Sequence, residues 1–170
     1  MIIIYIISGI LAIFILSLIT TPYIDNAVRF AKLKSLTLEQ LKRRFSTLKE
    51  EKPESFFYKM SPESLIYSLD YKLTMGGPSK IYFEINSENK IKSILIISKF
   101  DSQKWFDRIK RTYIINRKEN HTKDTSLEYG KEIYRIIPKE YSSQALKKLF
   151  PTTKFDFGIN HDNKFFMYFY

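Results

Sequence analysis

The N-terminal end is the most constraining feature of this chain, because residues 2–20 read IIIYIISGILAIFILSLIT without one charged side chain. A helix rises about 1.5 Å per residue, so a run of this length spans roughly 29 Å, which matches the hydrocarbon core of a bilayer. Pro22 interrupts the apolar pattern, and Asp25 is the first charged residue. The pattern predicts a membrane-spanning helix within residues 1–24.

Two other interpretations of the apolar run fit less well. A cleavable signal peptide carries basic residues before an apolar core of about 7 to 15 residues and a small-x-small cleavage site after it. The run is longer than such a core, and neither flanking feature is present in the sequence. A helix buried in the core of a soluble domain is ordinarily shorter than this run. We therefore expect a single-pass signal anchor that stays attached.

The orientation of the anchor follows from the charges on its two sides. Nothing before residue 2 is basic except the α-amino group, whereas six basic side chains follow the anchor: Arg29, Lys32, Lys34, Lys42, Arg43 and Arg44. Cytoplasmic flanks are enriched in Lys and Arg, so the pattern favours a cytoplasmic domain. An exported domain is the alternative.

Charge and cysteine content restrict the classes of partner and chemistry. The net charge of +10 lies entirely after residue 24, and the chain has no cysteine. Positive charge on a tethered domain fits anionic lipid headgroups or an acidic partner, although a merely soluble surface has the same composition. No nucleic-acid reader motif is found, so nucleic acid is not an expected partner. Disulfides, thiolate metal sites and thiol nucleophiles are excluded.

Helix signals divide the rest of the chain into a basic juxtamembrane linker, residues 25–36, and one domain, residues 37–170. Thr37 and Gln40 form a capping box that predicts a first helix. The Ser-Pro-Glu triplet at 61–63 predicts a second helix, with Leu65, Ile66 and Leu69 as its buried stripe. A third helix is predicted after Asp101, and a short fourth helix is predicted to end at Leu149.

Strand signals alternate with these helices. Residues 81–86 and 91–97 predict one hairpin, residues 128–137 predict a strand, and residues 154–160 and 164–170 predict a final hairpin. The polar stretch 116–126 is predicted as a loop. Hairpins without a repeating βαβ unit indicate an α+β domain with a largely antiparallel sheet and three to four helices.

The final hairpin contains more large apolar side chains than one sheet face needs. Phe155, Phe157 and Ile159 share a face by alternation. A two-residue turn at residues 162–163 would place a second apolar set on the opposite face: Phe165, Met167 and Phe169. A register slip of one residue would exchange the two sets. A helix of the same chain could cover this face, and the functional alternative is a surface that binds a protein partner or a second copy.

The most basic stretch of the chain predicts a second binding surface. Lys104, Arg108 and Arg111 recur at helical spacing, opposite a stripe of apolar side chains formed by Phe106, Ile109 and Tyr113. Near an anionic membrane each basic residue adds about 1 kcal/mol of attraction. The alternative is an ordinary solvated helix face.

The sequence assigns no catalytic, cofactor-binding or metal-ligating residue. His121 and His161 both lie in polar turn contexts, without ligand spacing to other candidates. The glycine pair before Pro78 lacks the spacing of a phosphate-binding loop. We therefore expect a membrane-tethered, non-catalytic domain that contacts a protein partner near the bilayer, in an inhibitor-type (immunity) or assembly role. A small membrane-bound enzyme with a dispersed active site is the alternative.

Overall fold

A computed structural model of the chain describes residue 5 and residues 9–12, 30–51, 58–61, 63–73, 77–101, 103–126, 128–138 and 154–170. Eight strands in these parts form one sheet in the order β1-β2-β3-β4-β8-β7-β6-β5, and every pairing between neighbours is antiparallel. The strands are β1 (Lys49–Glu51), β2 (Leu65–Leu73), β3 (Gly77–Ile85), β4 (Ile91–Asp101), β5 (Asn120–Asp124), β6 (Glu132–Ile137), β7 (Phe155–Ile159) and β8 (Lys164–Phe169). The predicted antiparallel sheet is confirmed.

Helices are few in the described part of the chain. A 3-10 turn (Leu33–Ser35) precedes α1 (Leu38–Arg44), and α2 (Gln103–Lys110) continues into a π-helical turn (Arg111–Asn116). The predicted capping box begins α1, because Gln40 N donates to Thr37 Oγ1 at 3.3 Å and Thr37 N donates to Gln40 Oε1 at 2.9 Å. These helices lie on one face of the sheet, which we call the helical face. The opposite face, which carries Ile66 and Ser68 of β2, is called the polar face.

The main core lies between the helical face and the helices. Phe30 contacts Tyr71 of β2 edge-on at 5.2 Å between ring centroids, and Phe106 of α2 lies 5.6 Å from Phe157 of β7. Phe30 and Leu33 are 4% and 5% exposed. Residues 30–36, within the stretch interpreted from sequence as a linker, therefore contribute to the folded core.

The predicted second helix is wrong, because residues 65–73 form β2. Tyr67 and Leu69 point to the helical face, while Ile66 and Ser68 point to the polar face, and β2 pairs with β3 along its whole length. The cap signals before it produce only a turn, in which Ser64 N donates to the Ser61 carbonyl oxygen at 3.1 Å. A long antiparallel pairing with burial on both faces outweighs a local start signal.

The predicted loop at 116–126 contains β5, which pairs with β6 at the end of the sheet. Its residues, NHTKD, are exposed at four positions and half-buried at the fifth. A short polar edge strand has no apolar alternation, so its sequence resembles that of a loop.

The last hairpin is shifted by one residue from the predicted register. Ile159 pairs with Phe165 and Phe157 pairs with Met167, because the connection has three residues, 161–163, instead of two. Asn160 N donates to the Lys164 carbonyl oxygen at 3.0 Å, and Asn163 adopts a left-handed φ of 60°. A left-handed third residue is typical of three-residue hairpin loops.

Most of the predicted anchor, and the whole predicted helix that ends at Leu149, lie outside the described residues. Residues 5 and 9–12 are helical. Within the described ranges, no helix combines the length and apolar character that crossing a membrane requires.

Candidate partner-binding site

A buried carboxylate on the polar face organises a cluster of charged and aromatic side chains. Asp156, the second residue of β7, is 1% exposed. Its Oδ2 atom accepts hydrogen bonds from the hydroxyls of Tyr58 and Tyr170 and from Lys59 Nζ at 3.0 Å. Its Oδ1 atom accepts a bond from Arg135 Nε at 3.1 Å. Four side chains from three regions of the chain therefore converge on one carboxylate.

The protonation states in this cluster follow from its contacts. Burial alone would raise the pKa of Asp156, but hydrogen bonds from Arg135, Tyr170, Tyr58 and Lys59 hold it below its ordinary value. Burial and the bond to Asp156 raise the pKa values of both Tyr58 and Tyr170. At neutral pH the cluster therefore contains an ionised carboxylate, a charged guanidinium and two neutral phenols.

Arg135 is the member of the cluster that reaches the surface. Its side chain is 40% exposed, and Nη2 donates to the Tyr170 hydroxyl at 2.7 Å. The guanidinium also lies over the Tyr170 ring, 5.3 Å from its centroid. Together with the ion pair to Asp156, these contacts hold the guanidinium plane in one orientation.

A cleft of about 280 Å³ opens beside Arg135 at the β5 end of the sheet. Its lining comprises Thr122, Lys123, Asp124, Thr125, Ile133, Arg135 and Asp156. The hydrogen bonds that Arg135 makes to described residues use Nε and Nη2. None of these bonds uses Nη1.

A second buried carboxylate lies on the same face, in β3. Glu84 is fully buried and accepts hydrogen bonds from Ser64 Oγ at 2.8 Å, Lys92 Nζ at 2.8 Å and Ser93 Oγ at 2.6 Å, as well as from a backbone amide. Burial would raise its pKa, but these donors hold the pKa below its ordinary value. Both buried carboxylates are thus fully occupied by intramolecular donors.

These two sites are poorly suited to acid–base or metal chemistry. A general acid or base works best with a pKa near the operating pH and with access to a substrate proton, whereas Asp156 and Glu84 are shifted away from neutrality and buried. His121 and His161 lie apart, beside the carbonyl oxygens of Glu119 and Glu128 respectively. Across the described ranges, no three His, Cys, Asp or Glu side chains are placed to hold a metal ion.

The structure places the predicted partner-binding set inside the core instead of on a surface. Phe165, Met167 and Phe169 are each at most 1% exposed and lie on the helical face. The one-residue register shift exchanges the two sets of β8 side chains between the faces of the sheet. The set that now lies on the polar face, beside Asp156, is Phe166, Tyr168 and Tyr170, and Tyr58 packs against both Phe166 and Tyr168.

The predicted basic residues lie on the outer side of α2 and its π-helical extension. Lys104 and Arg111 are exposed, and Arg108 is half-buried with its guanidinium 5.7 Å from the Trp105 ring centroid. They share this outer surface with Ile115, an apolar side chain that is 61% exposed.

The cluster around Asp156 was not predicted from the sequence. An aspartate between two phenylalanines in a strand can signal a buried polar group. Its side chain lies on the sheet face opposite the phenylalanines, and it is buried if that face is covered too. Its donors were not predictable, since Arg135 is brought opposite Asp156 only by strand register, and Tyr58 is separated from it by 98 residues. No protein-family model matches this chain, and comparison with the curated proteins and with the solved structures finds no significant similarity.

Proposed function

We propose that this chain is a membrane-tethered, non-catalytic binding domain that takes a protein partner on the polar face, at the cleft beside Arg135. The observation that carries the proposal is the arrangement around Asp156, which fixes Arg135, Tyr170 and Lys59 in one orientation next to an open cleft. Side chains that are ordered before binding lose little entropy when a partner arrives.

The composition of this surface supports a protein partner. Tyr and Arg are enriched among the residues that dominate binding energy at protein interfaces. The polar face presents half-buried Tyr82, Tyr129 and Tyr170 together with Arg135. Because none of the hydrogen bonds from Arg135 to described residues uses Nη1, a carboxylate side chain of the partner is the group that best complements the guanidinium.

The membrane tether is supported by the apolar run at 2–20 and by the exposure of its described side chains. Tyr5, Ile10 and Leu11 are 73%, 63% and 57% exposed. Exposed apolar side chains on a helical segment fit surroundings of lipid. The expected result for the full-length chain is retention in the membrane fraction after alkaline carbonate washing and release only by detergent.

The partner site is tested by photo-crosslinking in cells. A benzophenone amino acid is placed at Thr122 or Thr125, which line the cleft and are exposed, and at Lys72 as an exposed control on the same face. We expect a discrete adduct from the two cleft positions and none from position 72. Adducts of equal yield at all three positions would contradict the proposed site.

The purified partner identified in this way is then measured against variants in binding titrations. Removal of a central interface arginine typically costs about 2 kcal/mol or more, so Arg135→Ala is expected to raise Kd by roughly 30-fold. Thr122→Trp fills the cleft without placing a second charge opposite Arg135, which covers the case in which Arg135→Ala perturbs folding. Lys72→Ala is the matched control. Unchanged affinity in the Thr122→Trp variant would rule out the cleft.

A further inference from the structure

The basic residues of the domain are concentrated in the helices. We define the helical layer as residues 30–44 and 103–118. It contains eleven basic and two acidic side chains, whereas the rest of the chain contains seventeen basic and sixteen acidic ones. The basic side chains are Lys32, Lys34, Lys42, Arg43, Arg44, Lys104, Arg108, Lys110, Arg111, Arg117 and Lys118. Nearly all of the net charge of +10 is therefore carried by this layer.

Among the described residues, ion pairs with neighbouring glutamates balance two of these charges. Lys110 Nζ lies 2.8 Å from Glu132 Oε1, and Arg117 Nη2 lies 3.0 Å from Glu119 Oε1. Counting both glutamates with the layer still leaves a net charge of +7. These two ion pairs therefore leave most of the positive charge of the layer in place.

Both segments of the layer cover the same face of the sheet, so their outer sides form one surface. Residues 30–45 pack on β2 and β3, where Phe45 lies 6.4 Å from Phe83, while α2 packs on β6 and β7 through Phe106. The side chains that project from the layer and are exposed include Lys32, Lys42, Arg43, Arg44, Lys104, Arg111 and Lys118. An array of this extent attracts an extended anionic surface more strongly than a single small ligand.

Apolar groups accompany the charge on this surface. Ile115 is 61% exposed, and Trp105 is half-buried beside Arg108. Tryptophan is enriched at the headgroup level of membranes, where its ring contacts lipid and its indole N–H stays hydrated. Basic residues combined with exposed apolar groups are typical of surfaces that lie in the membrane interface.

The helical layer is also the part of the domain that the anchor brings closest to the bilayer. Only residues 25–29 separate the predicted anchor from Phe30, which is already packed in the layer. An extended chain covers at most about 3.6 Å per residue, so Phe30 lies within roughly 20 Å of the membrane. At that distance, small rotations of the domain bring the basic surface within the screening length of about 8 Å at physiological salt.

We propose that the outer surface of the helical layer binds the anionic phospholipid headgroups of the membrane that holds the anchor. The polar face, on the opposite side of the sheet, is then turned away from the bilayer and toward its partner. This inference rests on the tether of the proposed function and does not depend on the partner site at Arg135.

The chain contains one tryptophan, Trp105, and it lies on the proposed surface. The full-length protein is reconstituted in nanodiscs of phosphatidylcholine alone or with phosphatidylglycerol, each containing a lipid spin-labelled at the headgroup. Binding predicts that the spin label quenches Trp105 fluorescence at least twofold more in the anionic nanodiscs, and that high salt removes the difference. Equal quenching in both lipid compositions would overturn the proposal.

Charge-reversal variants separate this surface from net charge. Lys104→Glu with Arg111→Glu reverses two exposed charges of the layer, and the excess quenching is expected to fall to the phosphatidylcholine level. Lys72→Glu with Lys99→Glu makes the same change in net charge on the polar face and is expected to leave the quenching unaltered. An equal loss in both double variants would show nonspecific attraction and would overturn the proposed orientation.

Two controls keep the failure of this inference distinct from failure of the tether. Circular dichroism of each variant verifies folding before the quenching is compared. The protein is also reconstituted in vesicles of the same lipid composition, and carbonate washing of these vesicles tests the anchor independently. A chain that resists carbonate but shows no excess quenching is tethered without lying on its helical layer, which refutes this inference and leaves the proposed function intact.

Discussion

At the scale of single residues, the polar face is distinguished by carboxylates that are both buried and ionised. Removing one partner of a buried ion pair is far more destabilising than removing an exposed pair, because the remaining charge loses its compensation. Asp156 has four donors, and two of them, Arg135 and Lys59, are cationic. The carboxylate therefore stabilises the fold and orients the proposed site through the same bonds.

Replacement of Asp156 tests this dual role. We expect Asp156→Asn to lower the free energy of unfolding by about 3 kcal/mol, because Arg135 and Lys59 lose their common counter-charge. Urea unfolding followed by Trp105 fluorescence measures the change. The matched control is Asp70→Asn, which breaks an exposed pair with Lys99 (3.0 Å) and is expected to alter stability by less than about 1 kcal/mol. Equal effects in the two variants would contradict the assigned role.

The same carboxylates set the pH dependence of stability. The folded-state pKa values of Asp156 and Glu84 lie below their ordinary values of 3.8 and 4.5. At pH values between the folded-state and the ordinary pKa, the unfolded chain therefore binds more protons than the folded chain. Their contribution is complete above the ordinary values and is lost as pH falls through the folded pKa values. Thermal unfolding should show a Tm that declines below about pH 5, with a smaller decline in the Asp156→Asn variant. A pH-independent Tm in this range would be inconsistent with ionised buried carboxylates.

At the scale of elements, the helices and strands that depend on local sequence patterns were predicted correctly. Those that depend on pairing with distant segments were not. The capping box of α1, the apolar stripe of α2 and the hairpin of β3 and β4 are local patterns, and they are confirmed. β2 was predicted as a helix because its start signals are local, whereas its pairing with β3 and its two buried faces are not. The candidate site depends on β6–β7 register and on Tyr58, so no local pattern predicts it.

The final hairpin provides a prediction at this scale. Asn163 has a φ of 60°, while Asp162 is not among the residues with positive φ. A β-branched residue is strained in the left-handed region, so Asn163→Val is expected to lower stability by about 1–2 kcal/mol and Asn163→Gly to have little effect. Asp162→Val is the matched control and should be tolerated. A two-residue turn would have placed both positions in the left-handed region, so equal costs at 162 and 163 would favour that register.

At the scale of the whole molecule, the sheet separates two surfaces of different character. The helical layer carries nearly all of the net positive charge, and the opposite face carries the buried carboxylates and the half-buried tyrosines. In the proposed tethered state, the membrane field would orient a domain with this asymmetry, because rotating the basic layer away from anionic lipid would lose favourable attraction at every exposed lysine and arginine. Orientation in turn decides which face a partner can reach.

Amine footprinting measures that orientation residue by residue. In nanodiscs that contain phosphatidylglycerol, we expect Lys42, Lys104 and Lys118 of the helical layer to react several-fold more slowly with an amine-modifying reagent than in phosphatidylcholine nanodiscs. Lys72 and Lys99, which are exposed on the polar face, are expected to react at the same rate in both. Mass spectrometry of the digested chain gives all five rates in one sample, so the polar-face lysines serve as internal controls. Uniform slowing of all five would indicate a general electrostatic effect, and slowing confined to Lys72 and Lys99 would show that the polar face lies on the membrane instead.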